Sequence, residues 1–148
     1  MAKLAGKWLK VYVDDNTGTP VARDVSSDVD SVDIPDEYGS LDMTGFSDGS
    51  VNSAPGMPNL PIKITGKFDP AATTGLYTVL KGILGAGSAH TVTVQVGQNA
   101  APTTGDPEFE GEFWLQSMPV GATPTGNLTI AGNFEVFGAS APAWGTVS

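Results

Sequence analysis

Apolar residues recur at every second position in several short stretches of this chain, which is the pattern of half-buried β-strands. Residues 9–13 show it near the N-terminus, and residues 60–68 show it most clearly, with Leu60, Ile62, Ile64 and Phe68 on one face. Pro61 cannot donate to a β-ladder and is expected at the beginning or edge of that strand. Further strands are predicted at residues 32–34, 41–46, 90–96, 108–118 and 128–136.

One stretch follows helical rather than strand spacing. Leu76, Val79, Leu80, Ile83 and Leu84 fall on one face of a helix. Thr73 or Thr74 is the expected N-cap, and Gly85 and Gly87 are the expected stop. Four strands, one helix and three strands predict an α+β, mainly β domain: an antiparallel β-sandwich or barrel with one short flanking α-helix.

A long loop is predicted at residues 47–60, within "FSDGSVNSAPGMPNLPIKITGKF". Small residues and prolines dominate this stretch, and nothing in it is spaced for catalysis or metal binding. Such composition makes a compact loop. Taken by itself, this stretch is expected to be a surface loop without chemistry of its own.

Composition narrows the class of protein. The 148 residues predict a single domain, 1–148, and the absence of cysteine excludes disulfides, a thiolate nucleophile and sulfur-ligated zinc. The lack of disulfides favours assembly in a reducing compartment. Lysines interrupt the N-terminal stretch, which makes a poor signal peptide, and no stretch is long enough for membrane insertion.

The net charge of −9 argues against a protein that grips nucleic acid, because such proteins carry a basic stripe. It does not exclude a surface that DNA passes without sticking. The acidic residues are concentrated between Asp14 and Asp48, where ten of the sixteen lie.

Candidate catalytic and metal-binding residues are few. His90 is the single histidine, and it begins a predicted strand, where an exposed or capping role is expected. Asp28, Asp30 and Asp33 lack the glycine and the bidentate glutamate of an EF-hand loop, so a solvated acidic face is expected there. No cofactor and no metal are expected, and the chain is not predicted to be an enzyme.

Glu108, Glu110 and Glu112 recur with period two, so in a strand they project from one face. Three carboxylates in line lack the facing geometry of a glycosidase pair. They form either a solvated strand face or a deliberately anionic surface. Asn133 and Glu135 belong to a similar polar face on the next strand, and the two faces are suited to line a channel shared between subunits.

Five segments together resemble the major tail tube proteins of long-tailed bacteriophages. They are "WLKVYVDD", the Arg-Asp motif "ARDVSSDVDSVDIP", "MTGFSDGS", "PGMPNLPIKITGKFDP" and "GNLTIAGNFEVFG". The resemblance implies a structural virion protein that forms hexameric rings. These rings stack into a hollow phage tail tube through which DNA reaches the host.

The resemblance also implies roles for particular residues. The lumen of such tubes is electronegative, which makes Glu108, Glu110, Glu112, Asn133 and Glu135 its candidate lining. The loop reaches the adjacent ring, and its candidate contact residues are Ser47, Asp48, Val51, Asn52, Met57, Pro58 and Leu60. The implied partners are further copies of the chain, other phage tail proteins and passing DNA that is not specifically bound. The implied location is the virion tail, assembled in the host cytoplasm.

The C-terminal arm, residues 139–148, is short and carries Trp144, which packs either on a neighbouring subunit or on its own core. Two other functions stay open. One is a capsid decoration or head–tail connector protein. The other is an extracellular carbohydrate-binding module that uses Trp8, Tyr12 and Trp114 as a stacking platform.

Overall fold

The computed structural model describes residues 8–98, 100–126, 128–138 and 141–148. Within these ranges, no helix is long and apolar enough to cross a membrane. The elements in chain order are β1 (Leu9–Asp14), β2 (Ala22–Asp24), β3 (Val29–Asp33), β4 (Glu37–Asp42), β5 (Ser53–Asn59), β6 (Ile62–Lys67), α1 (Leu76–Ile83), β7 (His90–Val96), β8 (Pro107–Ser117), β9 (Val120–Gly121), β10 (Thr129–Val136) and β11 (Ala143–Thr146).

Most strands belong to one antiparallel sheet with the order β2-β1-β7-β8-β10-β6-β3. The long strand β8 pairs along its first half with β7 and β11, and along its second half with β10. The short strand β9 pairs with β10. Mainly β architecture with antiparallel pairing and one short helix confirms the predicted fold class, and the sheet remains open rather than closing into a barrel.

The core lies on one face of this sheet. Alternate residues of β1, β6, β7, β8 and β10 point into it and are almost fully buried. Phe113 sits at its centre, with ring centroids 6.3 Å from both Phe109 and Phe134. Truncating such a side chain to alanine costs about 3–5 kcal/mol. The alternation predicted for residues 9–13, 60–68 and 108–115 therefore corresponds to buried positions, and Pro61 directly precedes β6.

Helix α1 covers part of this core. Its buried residues Leu76, Val79, Leu80 and Ile83 were predicted from helical spacing, but the fifth predicted residue, Leu84, is the C-cap and is exposed, because the helix ends before it. The predicted N-cap is wrong, because Gly75 occupies that position. A side-chain carbon at Gly75 would overlap the Asp69 carbonyl oxygen, so the chain passes too close to itself for a threonine there.

The region before the helix contains six strands rather than four. The strand expected at residues 41–46 is β4, which ends at Asp42, and residues 53–59 of the expected loop form β5. These two strands pair only with each other and make a separate two-stranded sheet. Neither strand buries a face, so neither has the apolar alternation by which a strand is recognised in a sequence.

The Arg-Asp motif organises the sheet edge around β2. Asp15, which follows β1, accepts hydrogen bonds from Arg23 Nε at 2.7 Å, the Thr17 hydroxyl at 2.8 Å and the Val21 amide at 3.0 Å. The hydrogen bonds from Val21, Thr17 and Arg23 hold the pKa of Asp15 well below its ordinary range. One carboxylate thus fixes the whole turn between β1 and β2.

This depressed pKa gives the Asp15 contribution a defined pH dependence. Its stabilisation is fully present above the unfolded-state pKa of about 3.9 and is lost as the pH falls toward the lower folded-state pKa. The Asp15→Asn variant should therefore melt below the wild-type protein at pH 7, and the difference should narrow below about pH 4. Thermal unfolding across pH measures it. The exposed Asp36→Asn serves as control, and a difference that stays constant with pH would contradict this role.

Candidate functional site

The sheet face opposite the core carries a row of carboxylates on β8, here called the acidic ladder: Glu108, Glu110 and Glu112. Each accepts a hydrogen bond from the β7 residue opposite it: Thr91 on Glu112 at 2.6 Å, Thr93 on Glu110 at 3.3 Å, and Gln95 on Glu108 at 2.8 Å. All three donors are neutral. They orient the carboxylates without cancelling their charge.

The surroundings of the ladder carry charges of both signs, since Lys10 on β1, opposite Gln95, lies on the same face and pairs with Asp24 at 3.6 Å. Among the residues that the structure describes, no lysine or arginine forms an ion pair with the ladder. Asp14 on β1 lies nearby; partial burial raises its pKa, and the Glu112 carboxylate adds to that rise. Such repulsion between neighbouring carboxylates is the mark of a locally negative surface.

The remaining predicted polar residues extend this face across β10. Asn133 donates a hydrogen bond to the Ser117 hydroxyl at 2.7 Å, at the position where a bulge shifts the pairing of β10 with β8. Glu135 is opposite Trp114 in the same pairing. The ladder, Asn133 and Glu135 therefore lie on neighbouring strands of one continuous face, with the core and α1 on the other side.

Lysines stand farther along the same face, on β6. Lys67 forms an ion pair with Asp30 at 3.6 Å, and Lys63 is opposite Asp33 in the pairing of β6 with β3. Charges are therefore balanced at the β3 side of the face, whereas the ladder carboxylates form no ion pair within the described residues.

The second candidate surface is the hairpin of β4 and β5, here called the hairpin, residues 36–59. None of its residues is buried. Its tip is held by short local hydrogen bonds: Met43 amide to Asn52 carbonyl at 2.8 Å, Asn52 amide to Thr44 hydroxyl at 2.8 Å, and Gly45 amide to Asp48 carboxylate at 2.7 Å. The tip thus has a defined shape without support from the sheet.

The hairpin nevertheless presents large apolar side chains to solvent. Six of the eleven exposed large hydrophobic residues in the described ranges belong to it: Tyr38, Leu41, Met43, Phe46, Val51 and Met57. The side chain of Phe46 is fully exposed. A two-stranded hairpin alone in water is marginally stable, and a cluster of this kind marks a contact surface.

The predicted inter-ring residues divide between this hairpin and the core. Ser47, Asp48, Val51 and Asn52 lie in the tip, and Met57 and Pro58 lie on β5. Leu60 is only 3 % exposed and belongs to the core, so it is not an anchor for a partner. The exposed apolar residues of β4 and of the start of the tip, Tyr38, Leu41, Met43 and Phe46, were not predicted as contacts.

Trp144 packs within its own subunit. It lies on β11, which pairs with β8, and its ring is 5.4 Å from that of Phe109. It is still 46 % exposed and stands at one end of a groove of about 460 Å³ lined also by Leu9, Val29 and Val32. Of the two predicted roles, capping its own core is the one this geometry supports; residues 139 and 140 of the arm lie outside the described ranges.

Two other sequence-based interpretations are affected by the geometry. His90 is buried rather than exposed, at 3 % exposure, with its Nε2 3.4 Å from the Ser88 hydroxyl. Tyr12 and Trp114 are separated by two strand spacings and by four residues along the strand, which is about 16 Å. That separation is too large for the two rings to stack on one sugar. In the described ranges, no group of three acidic or histidine side chains is arranged to hold a metal ion.

The backbone is similar to chains from tubular injection particles. A chain from the tail of an empty gene transfer agent particle, solved with helical refinement and C6 symmetry, has a TM-score of 0.70 at 16% identity; the match covers 99% of this chain and 100% of that one. A chain of the SPP1 tail tube has a TM-score of 0.73 at 10% identity, covering 98% and 80%.

A third similar chain comes from the sheath–tube complex of the PVC extracellular contractile injection system, with a TM-score of 0.66 at 14% identity, covering 98% and 93%. No protein-family model and no curated protein sequence matches the chain. At these identities the similarity establishes the fold. The predicted tail-tube-like fold is confirmed.

Proposed function

We propose that this chain is the structural subunit of a hollow tail tube in a phage-like particle, and that it acts by assembly rather than by catalysis. The observation that carries the proposal is that two distinct surfaces occur together on one tail-tube-like fold. One is an anionic sheet face left bare by the core, and the other is a projecting hairpin whose apolar side chains have no partner in their own subunit.

Rings form when copies associate side by side. The edge strands of the main sheet, β2 and β3, are only three and five residues long and are open on one side. Neighbouring copies that cover both edges would pair the free backbone N–H and C=O groups of these edge strands. They would also continue the polar face around a central channel. Six copies per ring agree with the C6 symmetry given for the gene transfer agent tail.

DNA passes through this channel without being held. A lysine-lined wall would bind phosphates by releasing counterions, and each contact would add to affinity. The acidic ladder instead repels the phosphate backbone. The neutral donors of β7 keep the three carboxylates directed along the face, so the wall stays smooth and negative.

The hairpin joins successive rings. Its apolar side chains would be buried only when a second ring covers them, which stabilises the stack by about 25 cal/mol per Å² of apolar surface removed from water. At its ends the tube contacts other tail proteins. The subunit assembles in the host cytoplasm and resides in the particle's tail.

The hairpin can be tested by removing its apolar contacts. The triple variant Phe46→Ser, Val51→Ser and Met57→Ser should block stacking, because these side chains have no intramolecular role. Its thermal midpoint should stay within about 5 °C of wild type, since each exposed substitution rarely changes stability by more than about 0.5 kcal/mol. Electron microscopy and thermal unfolding measure the two effects.

The control for this test is Ser50→Ala with Ser53→Ala, two exposed positions of the same hairpin, which removes no apolar surface and should leave tubes intact. Long tubes from the triple variant, or a sharp fall in its midpoint, would contradict the assigned role.

The orientation of the sheet can be tested by labelling. The chain has no cysteine, so Glu110→Cys introduces a single thiol on the polar face. A bulky maleimide excluded from the channel should label this thiol quickly in free subunits and slowly in tubes. Lys81→Cys, exposed on α1 across the sheet, is the control and should react quickly in both. Equal, rapid labelling of the two variants in tubes would place the acidic ladder on the outer wall and refute the proposal.

A further inference from the structure

A second exposed apolar surface lies where the core face of the main sheet extends beyond the elements that pack on it. Val120 on β9 is opposite Ile130 on β10, yet Ile130 is buried while Val120 is 48 % exposed. Leu128, just before β10, is 42 % exposed. Together with the adjoining Phe68 and Tyr77 they are here called the end patch.

The end patch is held in place by the body of the subunit. The Phe68 and Tyr77 rings stack with centroids 4.4 Å apart, and the Phe68 amide donates to the Leu128 carbonyl at 3.1 Å. Unlike the hairpin, it borders the main sheet and the start of α1. It is therefore suited to receive a projecting element.

The hairpin and the end patch lie at opposite ends of one strand. The hairpin ends at Asn59, just before β6, whereas Phe68 of the end patch follows the last residue of β6. The extended run from residue 60 to residue 68 spans roughly 25 Å. Two unlike surfaces at opposite ends of a subunit join copies head to tail, and such a contact repeats without closing.

The segment around Val120 and Leu128 is uncharged, whereas the hairpin is acidic. The hairpin carries Asp36, Glu37, Asp42 and Asp48, and no lysine or arginine occurs between residues 24 and 62. Residues 113–134, which contain Val120 and Leu128, have no charged side chain at all. At the margin of the end patch both signs occur, because Asp69 follows Phe68 and Lys67 is paired with Asp30. Val120 and Leu128 therefore offer the hairpin an apolar contact without a like charge between them.

We infer that the end patch of one copy is the docking surface for the hairpin of a second copy of this chain. The apolar side chains of the hairpin contact Val120 and Leu128 of the next ring. This inference rests on the proposed function, in which the hairpin joins rings, and it adds the surface that receives it.

Cross-linking between copies tests the contact directly. Ser50→Cys places a thiol in the hairpin tip, and Ala122→Cys places one beside Val120; neither change removes an apolar contact. Mixed and treated with a short bis-maleimide under assembly conditions, the two variants should give several-fold more cross-linked dimer than either alone. The matched control, Ser50→Cys mixed with Lys81→Cys on α1, should give little. Cross-linking of Ser50→Cys to itself or to Lys81→Cys instead would overturn the inference.

A charge variant separates this inference from the proposed function. Leu128→Asp should block stacking with at most a modest fall in the thermal midpoint, because Leu128 is already 42 % exposed, whereas Gln98→Asp, exposed after β7, should leave stacking intact. If the triple hairpin variant blocks stacking but Leu128→Asp stacks normally and Ala122→Cys does not cross-link, the end patch is wrong and the hairpin role stands. If the triple hairpin variant itself stacks normally, the proposed function fails.

Discussion

The register of β8 within the main sheet is the constraint on which the rest of the structure depends. Its odd positions place Phe109, Phe113 and Leu115 in the core, and its even positions place the acidic ladder on the opposite face. Because side chains alternate with period two, a slip of one residue would bury three carboxylates and expose three large apolar residues. The packing energy of the core therefore also fixes the anionic face. In this protein, folding and the proposed channel surface are two consequences of one alternation.

The hairpin obeys a different constraint. Its shape comes from local backbone and side-chain hydrogen bonds, and its residues contribute nothing to the buried core. The subunit can therefore fold without the hairpin's apolar surface being covered. In the proposed function this separation lets one chain carry both a stable body and an assembly element, since apolar side chains that cost little in the monomer would be buried when a second copy covers them.

The sequence was informative wherever burial imposes a period. Residues 9–13, 60–68 and 108–115 and the buried face of α1 were predicted correctly, because each alternates between core and solvent. The hairpin strands were missed because both of their faces are exposed. The helix N-cap and the exposure of Leu60 were predicted wrongly for another reason. The close approach of the chain at Gly75 and the burial of Leu60 both depend on tertiary packing, which local sequence does not reveal. His90 begins a strand as predicted, but on its core side. The end patch was also missed. Val120 and Leu128 lie on the core face of the sheet, and they are exposed only because no other element packs over that end of the face.

The most direct test of the central claim is a cryo-electron microscopy reconstruction of the purified protein assembled at high concentration. The account predicts a hollow tube of stacked six-fold rings, with the acidic ladder and Glu135 facing the channel, α1 on the outside and the hairpin crossing to the next ring. Particles that remain monomeric at every concentration and salt, or tubes in which α1 faces the channel, would contradict it.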